Sequence, residues 1–314
     1  MLYWRSLVPL SFALWARQQQ AAGARHHQRT LIAAAIALLL SSGARAQQDQ
    51  EPPPIEAENI GFNYAYSAVL GAGYYSTPSG RVLVGTLPLS WSPRPINERH
   101  QLKLLFPVTG GIADVFNDEG ELEIKAQLLT FTFLPGIAWE YHALKNWVLV
   151  PAVQAGFARD FELDTNAWLY SLSLRSYAWW DIGKNRLGLG NRLLGAGQQA
   201  EGSDNNTGFM LLESGIEWDY IVPWRLYGFP LSAGVYFMWQ HYADSARLDA
   251  FAGDGANLIN HYRVGVTFGF RDPVTIFRFI PLHRVGIAIG RGNTLGGTEI
   301  KSITLNLGFP LSYD

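Results

Sequence analysis

The sequence predicts an all-β fold: a transmembrane, antiparallel, up-and-down β-barrel of about twelve strands. From residue 61 onward, apolar and polar residues alternate in segments separated by turn residues, which is the period of a strand with two unlike faces. Most segments are much longer than the five or six residues common in water-soluble proteins. Charged residues make up only 16% of the chain and aromatic residues 13%, as expected for a protein with large surfaces that do not face water.

The N-terminal part of the chain has the features of a secretory signal. Arg25 and Arg29 precede an apolar run over 31–40, and residues 44–46, Ala-Arg-Ala, have the small side chains of a cleavage site. A run of about ten apolar residues is too short to cross a bilayer as a helix. We therefore predict three regions: an N-terminal extension with a cleaved signal peptide (1–46), a periplasmic tail or short plug (47–60) and an outer-membrane β-barrel (61–314).

The predicted barrel strands follow one another in about twelve alternating segments, each bounded by Gly, Pro or polar residues. Their lengths suit a tilted membrane strand, which needs roughly 9–11 residues. In chain order the segments lie near 62–75, 81–92, 100–113, 126–142, 147–161, 166–181, 186–198, 208–221, 230–243, 258–271, 283–291 and 298–311.

Aromatic residues close both ends of the apolar face in the sixth segment. Its apolar row begins at Trp168 and ends at Trp180, and the opposite face carries Ser171, Ser173 and Arg175. The distance between the two tryptophans, at ~3.3 Å per residue and ~40° tilt, is about 30 Å along the membrane normal. An apolar band of ~25 Å with an aromatic girdle at each edge is typical of an outer-membrane barrel.

The final segment, SITLNLGFPLSYD over 302–314, poses the question of which face meets lipid. In a soluble sandwich the apolar row would point into a core, whereas in a membrane barrel it points outward and the small polar row lines the interior. The barrel prediction therefore places these large side chains against lipid: Ile303, Leu305, Leu307, Phe309, Leu311 and Tyr313.

Loop lengths predict the orientation. The connections near 93–98, 143–146 and 182–185 are compact, whereas those at 200–208 and 243–256 are long and polar. If both ends of the barrel domain are periplasmic, the long loops lie outside, as in bacterial outer-membrane barrels. We therefore predict a monomer in the outer membrane of a Gram-negative bacterium, with membrane lipids as partners.

The C-terminal residues Asn306, Gly308, Leu311 and Tyr313 resemble the terminal-strand signal through which outer-membrane barrels are recognised for assembly. Pro310, inside the predicted strand, departs from that pattern. The resemblance implies the barrel-assembly machinery as a second partner.

Four phrases of the sequence resemble the solitary outer-membrane autotransporter-type β-barrel family: VGTLPLSWSPRP, LKLLFPVTGG, FTFLPGIAWEY and NAWLYSLSLRS. The resemblance covers most of 60–314. It implies a translocator-type barrel without a secreted passenger, and it brings no catalytic residue.

Charged residues on the polar faces are predicted to meet in the lumen. If 182–185 is a turn, Arg175 lies opposite Arg192, and two arginines directly opposed are destabilising. Glu213 and Glu217 on the next strand would neutralise both, which gives one structural network; a selectivity or ligand site is the alternative. The predicted lumen charges are Lys103, Arg175, Asp181, Arg186, Arg192, Glu213, Glu217 and Arg263.

Two histidines near the outer ends of strands are the candidates for catalysis. His241 lies near Asp244 and Ser245, and His261 lies near Asp254 on the lumen face, but neither has a partner at a fixed spacing. We therefore predict that the protein is not an enzyme. The alternatives are an outer-membrane lipid hydrolase or protease with a rim histidine, and a module that binds through its surface loops.

Composition excludes several other functions. The chain has no cysteine, so it has neither a disulfide nor a thiolate metal site. Five of the 24 Lys and Arg residues precede residue 47, which leaves 19 basic against 26 acidic residues and a formal charge of −7 after cleavage. This balance disfavours nucleic acid as a partner. We predict no cofactor, and the leading function is a structural or weakly pore-forming barrel.

Overall fold

The computed structural model describes residues 68, 71–77, 80–93, 95–113, 130–161, 164–201, 206–226, 228–247, 257–270, 284–294, 297, 299–307 and 309–312. The predicted signal region (1–46) and the tail or plug (47–60) lie outside the described residues. Within these described ranges, no helix has the length and hydropathy needed to cross a membrane.

Alternating apolar and small residues form fifteen antiparallel strand segments among the described residues. They are β1 (Gly73–Thr77), β2 (Gly80–Leu87), β3 (Ser90–Trp91), β4 (His100–Leu105), β5 (Val108–Ala113), β6 (Thr130–Phe133), β7 (Gly136–Leu144), β8 (Trp147–Asp160), β9 (Thr165–Ile182), β10 (Asn185–Ala200), β11 (Asn206–Leu226), β12 (Phe229–Arg247), β13 (Asn257–Phe270), β14 (Arg284–Thr294) and β15 (Glu299–Asn306).

Three neighbouring barrel strands are each interrupted at a proline. β2 and β3 are separated at Pro88, β4 and β5 at Pro107, and β6 and β7 at Pro135. Because proline has no N–H to donate, a ladder hydrogen bond is lost at each of these three positions. Isolated backbone hydrogen bonds span the breaks; for example, the Phe106 N–H donates to the Leu89 carbonyl at 2.8 Å. The fifteen segments therefore form twelve barrel strands.

The sheet closes on itself. Strands adjacent in the chain pair from β8 to β15, and β1 pairs with both β2 and β15. β2 and β3 then pair with β5 and β4, and β6 and β7 both pair with β8. Closure pairs the backbone groups without an open edge, which a bilayer requires. The predicted fold, an antiparallel up-and-down barrel of twelve strands, is confirmed.

The outer surface of the barrel is the apolar face. On β15, Ile303 and Leu305 are 50% and 60% exposed, whereas Ser302 and Thr304 are 4% and 1% exposed. β13 repeats the pattern, because its large apolar residues are exposed and its intervening Arg263 is buried. The large side chains therefore meet lipid and the small polar row lines the lumen, as the sequence predicted.

Buried apolar side chains fill the lumen at two levels. The outer apolar layer lies toward the ends of the strands that carry the long loops. It includes Phe209, Leu211, Tyr242, Leu258 and Ile300. The inner apolar layer lies toward the short turns and consists of Tyr177, Tyr236, Met238, Ala288, Phe309 and Leu311.

The C-terminal segment, residues 309–312, belongs to the inner layer rather than to the sheet. β15 ends at Asn306, so the prediction that the last strand runs to residue 311 is wrong. Phe309 and Leu311 are 3% and 1% exposed and lie inside the barrel, not against lipid. Two sequence features account for this: Pro310 cannot donate to a ladder, and Gly190 on β10 leaves space that a side chain would take from Leu311.

Candidate functional site in the barrel lumen

A layer of polar side chains lies in the lumen. We define this polar layer as Arg192 on β10, Glu213 on β11, Gln240 on β12, His261 and Arg263 on β13, and Ser302 on β15. Each belongs to the inward-facing row of its strand, because successive side chains alternate between the two faces. The closed sheet therefore brings together residues that are up to 110 positions apart in the chain.

Glu213 is the acceptor at the centre of the polar layer. The Arg192 guanidinium forms an ion pair with Glu213 Oε2, and Arg263 Nη2 lies 3.8 Å from Oε1. Gln240 Nε2 donates to the same Oε1 at 2.5 Å. A buried carboxylate is costly unless it is paired and hydrogen-bonded, and these three partners meet that requirement.

His261 bonds through both ring nitrogens. Its Nδ1 lies 2.9 Å from Gln240 Oε1, and its Nε2 lies 3.1 Å from Ser302 Oγ. Because an ionised Glu213 only accepts, it fixes the Gln240 amide with its NH₂ toward the carboxylate and its oxygen toward the ring. The Nδ1 atom therefore carries the proton, and the free Nε2 lone pair accepts the hydrogen of the Ser302 hydroxyl.

Glu217 takes part in a second cluster near the short turns. Arg284 Nη1 lies 3.1 Å from Glu217 Oε1, and Arg284 Nη2 donates to Asp219 at 2.8 Å and to Thr267 Oγ1 at 2.5 Å. Among the contacts of the described residues, Glu217 pairs with Arg284 and Glu213 pairs with Arg192, so the two carboxylates do not share the single network that the hypothesis predicts.

Arg175 contacts the C-terminal segment. Arg175 and Arg192 lie opposite each other in the β9–β10 register. Arg175 Nη1 donates to the Ser312 carbonyl at 2.8 Å, whereas Arg192 turns to Glu213. The two arginines thus have different partners, which reduces their mutual repulsion.

The other predicted lumen charges form separate pairs. Lys103 Nζ lies 2.8 Å from Glu140 Oε1, between β4 and β7. Arg186 Nε donates to Asp181 at 2.9 Å beside the turn after β9, where the Asp181 side chain is half exposed. That pair therefore lies at the rim of the barrel rather than inside it.

His241 lies on the outer face of β12, at the level of the aromatic girdle. Its Nδ1 is 3.0 Å from Asn260 Oδ1, and its ring stacks on Trp239. The side chains of its predicted neighbours, Asp244 and Ser245, lie outside the described residues. His241 therefore lies at the membrane interface. Among the described lumen residues, His261 is the histidine that hydrogen-bonds a hydroxyl group, that of Ser302.

The C-terminal residues of the predicted assembly signal divide between wall and lumen. The Asn306 amide, at the end of β15, donates to the Tyr236 hydroxyl. Leu311 lies in the inner apolar layer. Gly308 and Tyr313 lie outside the described residues, and the assembly role itself stays a prediction.

Sequence reasoning did not identify Gln240, Ser302 and Arg284 as site residues. Gln240 could have been found, because it lies on the inward row of β12 directly opposite His261 in register. Ser302 and Arg284 could not have been found in this way. Each side chain contacts a residue on a strand that is not hydrogen-bonded to its own strand. Alternation along one sequence predicts contacts only between neighbouring strands.

Comparisons with known proteins give structures rather than a family. No family model matches the chain, and no curated protein matches it. Among solved structures, LpxR from Salmonella typhimurium is similar over 73% of this chain and 90% of its own, with 10% identity and a TM-score of 0.42. The siderophore receptor PirA from Acinetobacter baumannii is similar over 75% of this chain and 41% of its own, with 9% identity and a TM-score of 0.30.

A third solved structure, OccK1 (OpdK) from Pseudomonas aeruginosa, is similar over 74% of this chain and 94% of its own, with 11% identity and a TM-score of 0.24. This chain is an outer-membrane β-barrel. The predicted location in the Gram-negative outer membrane is confirmed. At this level of identity the similarity concerns architecture, and it transfers no substrate and no residue role.

One prediction needs correction. The chain was predicted not to be an enzyme, but LpxR, a barrel that it resembles, is an outer-membrane lipid A deacylase. At 10% identity and a TM-score of 0.42 no activity transfers to this chain, so the described lumen residues have to be judged by their own chemistry.

Proposed function

We propose that this outer-membrane barrel is a pore that its own C-terminal segment, residues 309–312, holds closed. The observation that carries the proposal is the position of that segment inside the lumen, where Phe309 and Leu311 are buried. A strand that simply ended at the membrane surface would leave these two side chains at the rim.

Contacts of three of its residues, Phe309, Leu311 and Ser312, hold the segment in place. The Phe309 ring lies 6.1 Å from the Tyr177 ring and 5.6 Å from the Tyr236 ring, measured between centroids. Leu311 packs at Gly190 and Gly215, where the wall has no side chain. The Arg175 guanidinium bonds the Ser312 carbonyl. The segment is therefore attached to the adjacent strands β9 to β12 by contacts that can be removed one at a time.

The charges that line the lumen support conduction once the segment leaves. Arg175, Arg192, Glu213 and Arg263 face the interior, and rings of charged side chains are a common way to select ions in pores. The outer apolar layer is a second constriction, of the type that closes by losing water. Two constrictions in series predict a low conductance even in the open state, which agrees with a weak pore.

The autotransporter-like translocation role stays a prediction. A lumen filled at two levels is closed to a passenger at rest, so translocation would require both layers to open. A purely structural barrel is the alternative, and conductance distinguishes it from a pore.

We expect the refolded mature protein to open rarely in a planar bilayer. Leu311→Ala should raise the open probability at least tenfold, because it removes a main contact of the segment. Leu305→Ala is the matched control, since it makes the same change six residues earlier on the lipid face. Equal and negligible conductance in all three proteins would show a structural barrel instead of a pore.

A further inference from the structure

We propose that Ser302 is a nucleophile that attacks carboxylic esters, with His261 as its general base and Gln240 as a positioning residue. The proposal rests on the hydrogen-bonded series Ser302, His261, Gln240 and Glu213 in the polar layer. It does not depend on the pore proposal, because the C-terminal segment lies at a different level of the lumen and the two proposals are tested by different measurements.

The direction of the hydrogen bonds is the first argument. Glu213 fixes the Gln240 amide, Gln240 fixes the proton on His261 Nδ1, and Nε2 then accepts the Ser302 hydroxyl. A nucleophile bonded to a base that a third group orients is the arrangement on which hydroxyl activation depends in unrelated folds. Here four strands supply it, so the wall of the barrel holds the geometry.

The strand between the base and the nucleophile is the second argument. His261 on β13 and Ser302 on β15 are separated by β14, and they meet across it because Gly290 has no side chain. A Cβ at position 290 would lie 2.7 Å from His261 Nε2 and would overlap Ser302 Oγ. The glycine thus keeps open the space in which the two groups meet.

A buried cation beside the pair is the third argument. Arg263 is buried, and its Nε has no hydrogen-bond partner within the part of the chain that the structure describes. Its Cγ would lie 2.9 Å from a Cβ at position 290, so the side chain begins next to the Ser302 hydroxyl. A donor of this kind can stabilise the oxyanion that forms when a carbonyl is attacked.

The reaction balances without a cofactor. Ser302 Oγ attacks the carbonyl carbon while its proton moves to His261 Nε2, and the oxyanion forms beside Arg263. The C–O bond to the alcohol then breaks, and the alcohol leaves with the proton from His261. Water then attacks the acyl carbon while its proton moves to His261 Nε2; the C–O bond to Ser302 breaks, Ser302 Oγ takes that proton, and the carboxylic acid is released.

The surroundings indicate the substrate class. Ser302 lies one inward position below Ile300, and the outer apolar layer, with Leu258 and Tyr242, covers the polar layer toward the long loops. An ester that reaches Ser302 from outside must pass these apolar side chains. We therefore assign esters with an apolar acyl group as the substrates.

The test is covalent labelling of the full mature protein, refolded in detergent, with an alkyl fluorophosphonate, followed by mass spectrometry of the peptides. We expect one label per chain, on Ser302. Thr304→Ala is the matched control, since Thr304 is the next inward hydroxyl on the same strand and its loss should leave labelling unchanged. Site mapping on the unmodified chain remains decisive even if a variant does not fold.

Substitutions test the roles proposed for Ser302, His261 and Gln240. Ser302→Ala should abolish labelling and p-nitrophenyl butyrate hydrolysis, and His261→Asn should lower both about 10²-fold or more. Gln240→Ala should also change the pH profile of labelling, which a merely loosened barrel would not do. Gel mobility before and after boiling reports whether each variant is folded. An unlabelled wild-type chain, or label on residues other than Ser302, would overturn the proposal.

Discussion

Glu213 is a carboxylate in the barrel interior that serves two arginines at once. It pairs with Arg192, lies near Arg263 and accepts from Gln240. Removing one member of a buried ion pair leaves an uncompensated charge, which costs about 3–5 kcal/mol. The interior charges are therefore coupled, and a change at one of them has consequences for its partners.

Charge reversal at Arg192 tests this coupling. Arg192→Glu places two carboxylates together, so we expect a loss of folded yield and about 3–5 kcal/mol of unfolding free energy. Adding Glu213→Arg should restore much of the loss, because the pair is re-formed with opposite polarity. Adding Glu217→Arg is the control and should not rescue, since Glu217 pairs with Arg284. Denaturant titration measures the stability, and rescue by either reversal alike would contradict the two-cluster arrangement.

At the residue level, the sequence predicts a side chain's face and its neighbour across a short turn. The β9 and β10 residues Arg175 and Arg192 are such a pair. It does not predict partners two strands away, such as His261 and Ser302, because their meeting depends on a small residue in the strand between them. The role of Gly290 becomes visible only when the strands are placed side by side.

Strand alternation is the feature that carries the fold. The predicted and observed bounds of most strands differ by only a few residues, as for β13, predicted near 258–271 and observed at Asn257–Phe270. Three of the predicted strands are each observed as two segments, and these breaks have a common origin in proline. Pro88, Pro107 and Pro135 lie within predicted strands, and each stands where pairing stops. Pro310 lies within the last predicted strand, after the pairing of β15 has ended at Asn306.

The depth of a residue in the membrane sets the cost of a charge on the lipid face. Val264 lies midway along β13 and faces lipid, so Val264→Arg should destabilise the folded barrel by ~2–4 kcal/mol. Phe270→Arg, at the end of the same strand, should cost only ~0–1 kcal/mol. Refolding titrations in lipid vesicles measure both variants. Equal costs at the two positions would contradict the assigned membrane position of β13.

At the scale of the whole molecule, the lumen is a stack of layers. The outer apolar layer lies toward the long loops, the polar layer follows it, and the inner apolar layer with the C-terminal segment lies toward the short turns. The sequence predicted the barrel and its location, but not this filling. Strand periodicity cannot tell when a chain leaves the sheet and re-enters the lumen, so Phe309 and Leu311 were placed on the lipid face.

The most direct test of the closed pore locks the C-terminal segment in place. The chain has no cysteine, so Tyr177→Cys with Phe309→Cys introduces one pair, at two residues whose rings lie 6.1 Å apart. Single-channel conductance of this variant is recorded with the disulfide formed and again after reduction. The closed-pore account predicts silence when the pair is oxidised and openings after reduction. Mass spectrometry establishes that the disulfide has formed and that it has been reduced, and the same conductance in both states would contradict the account.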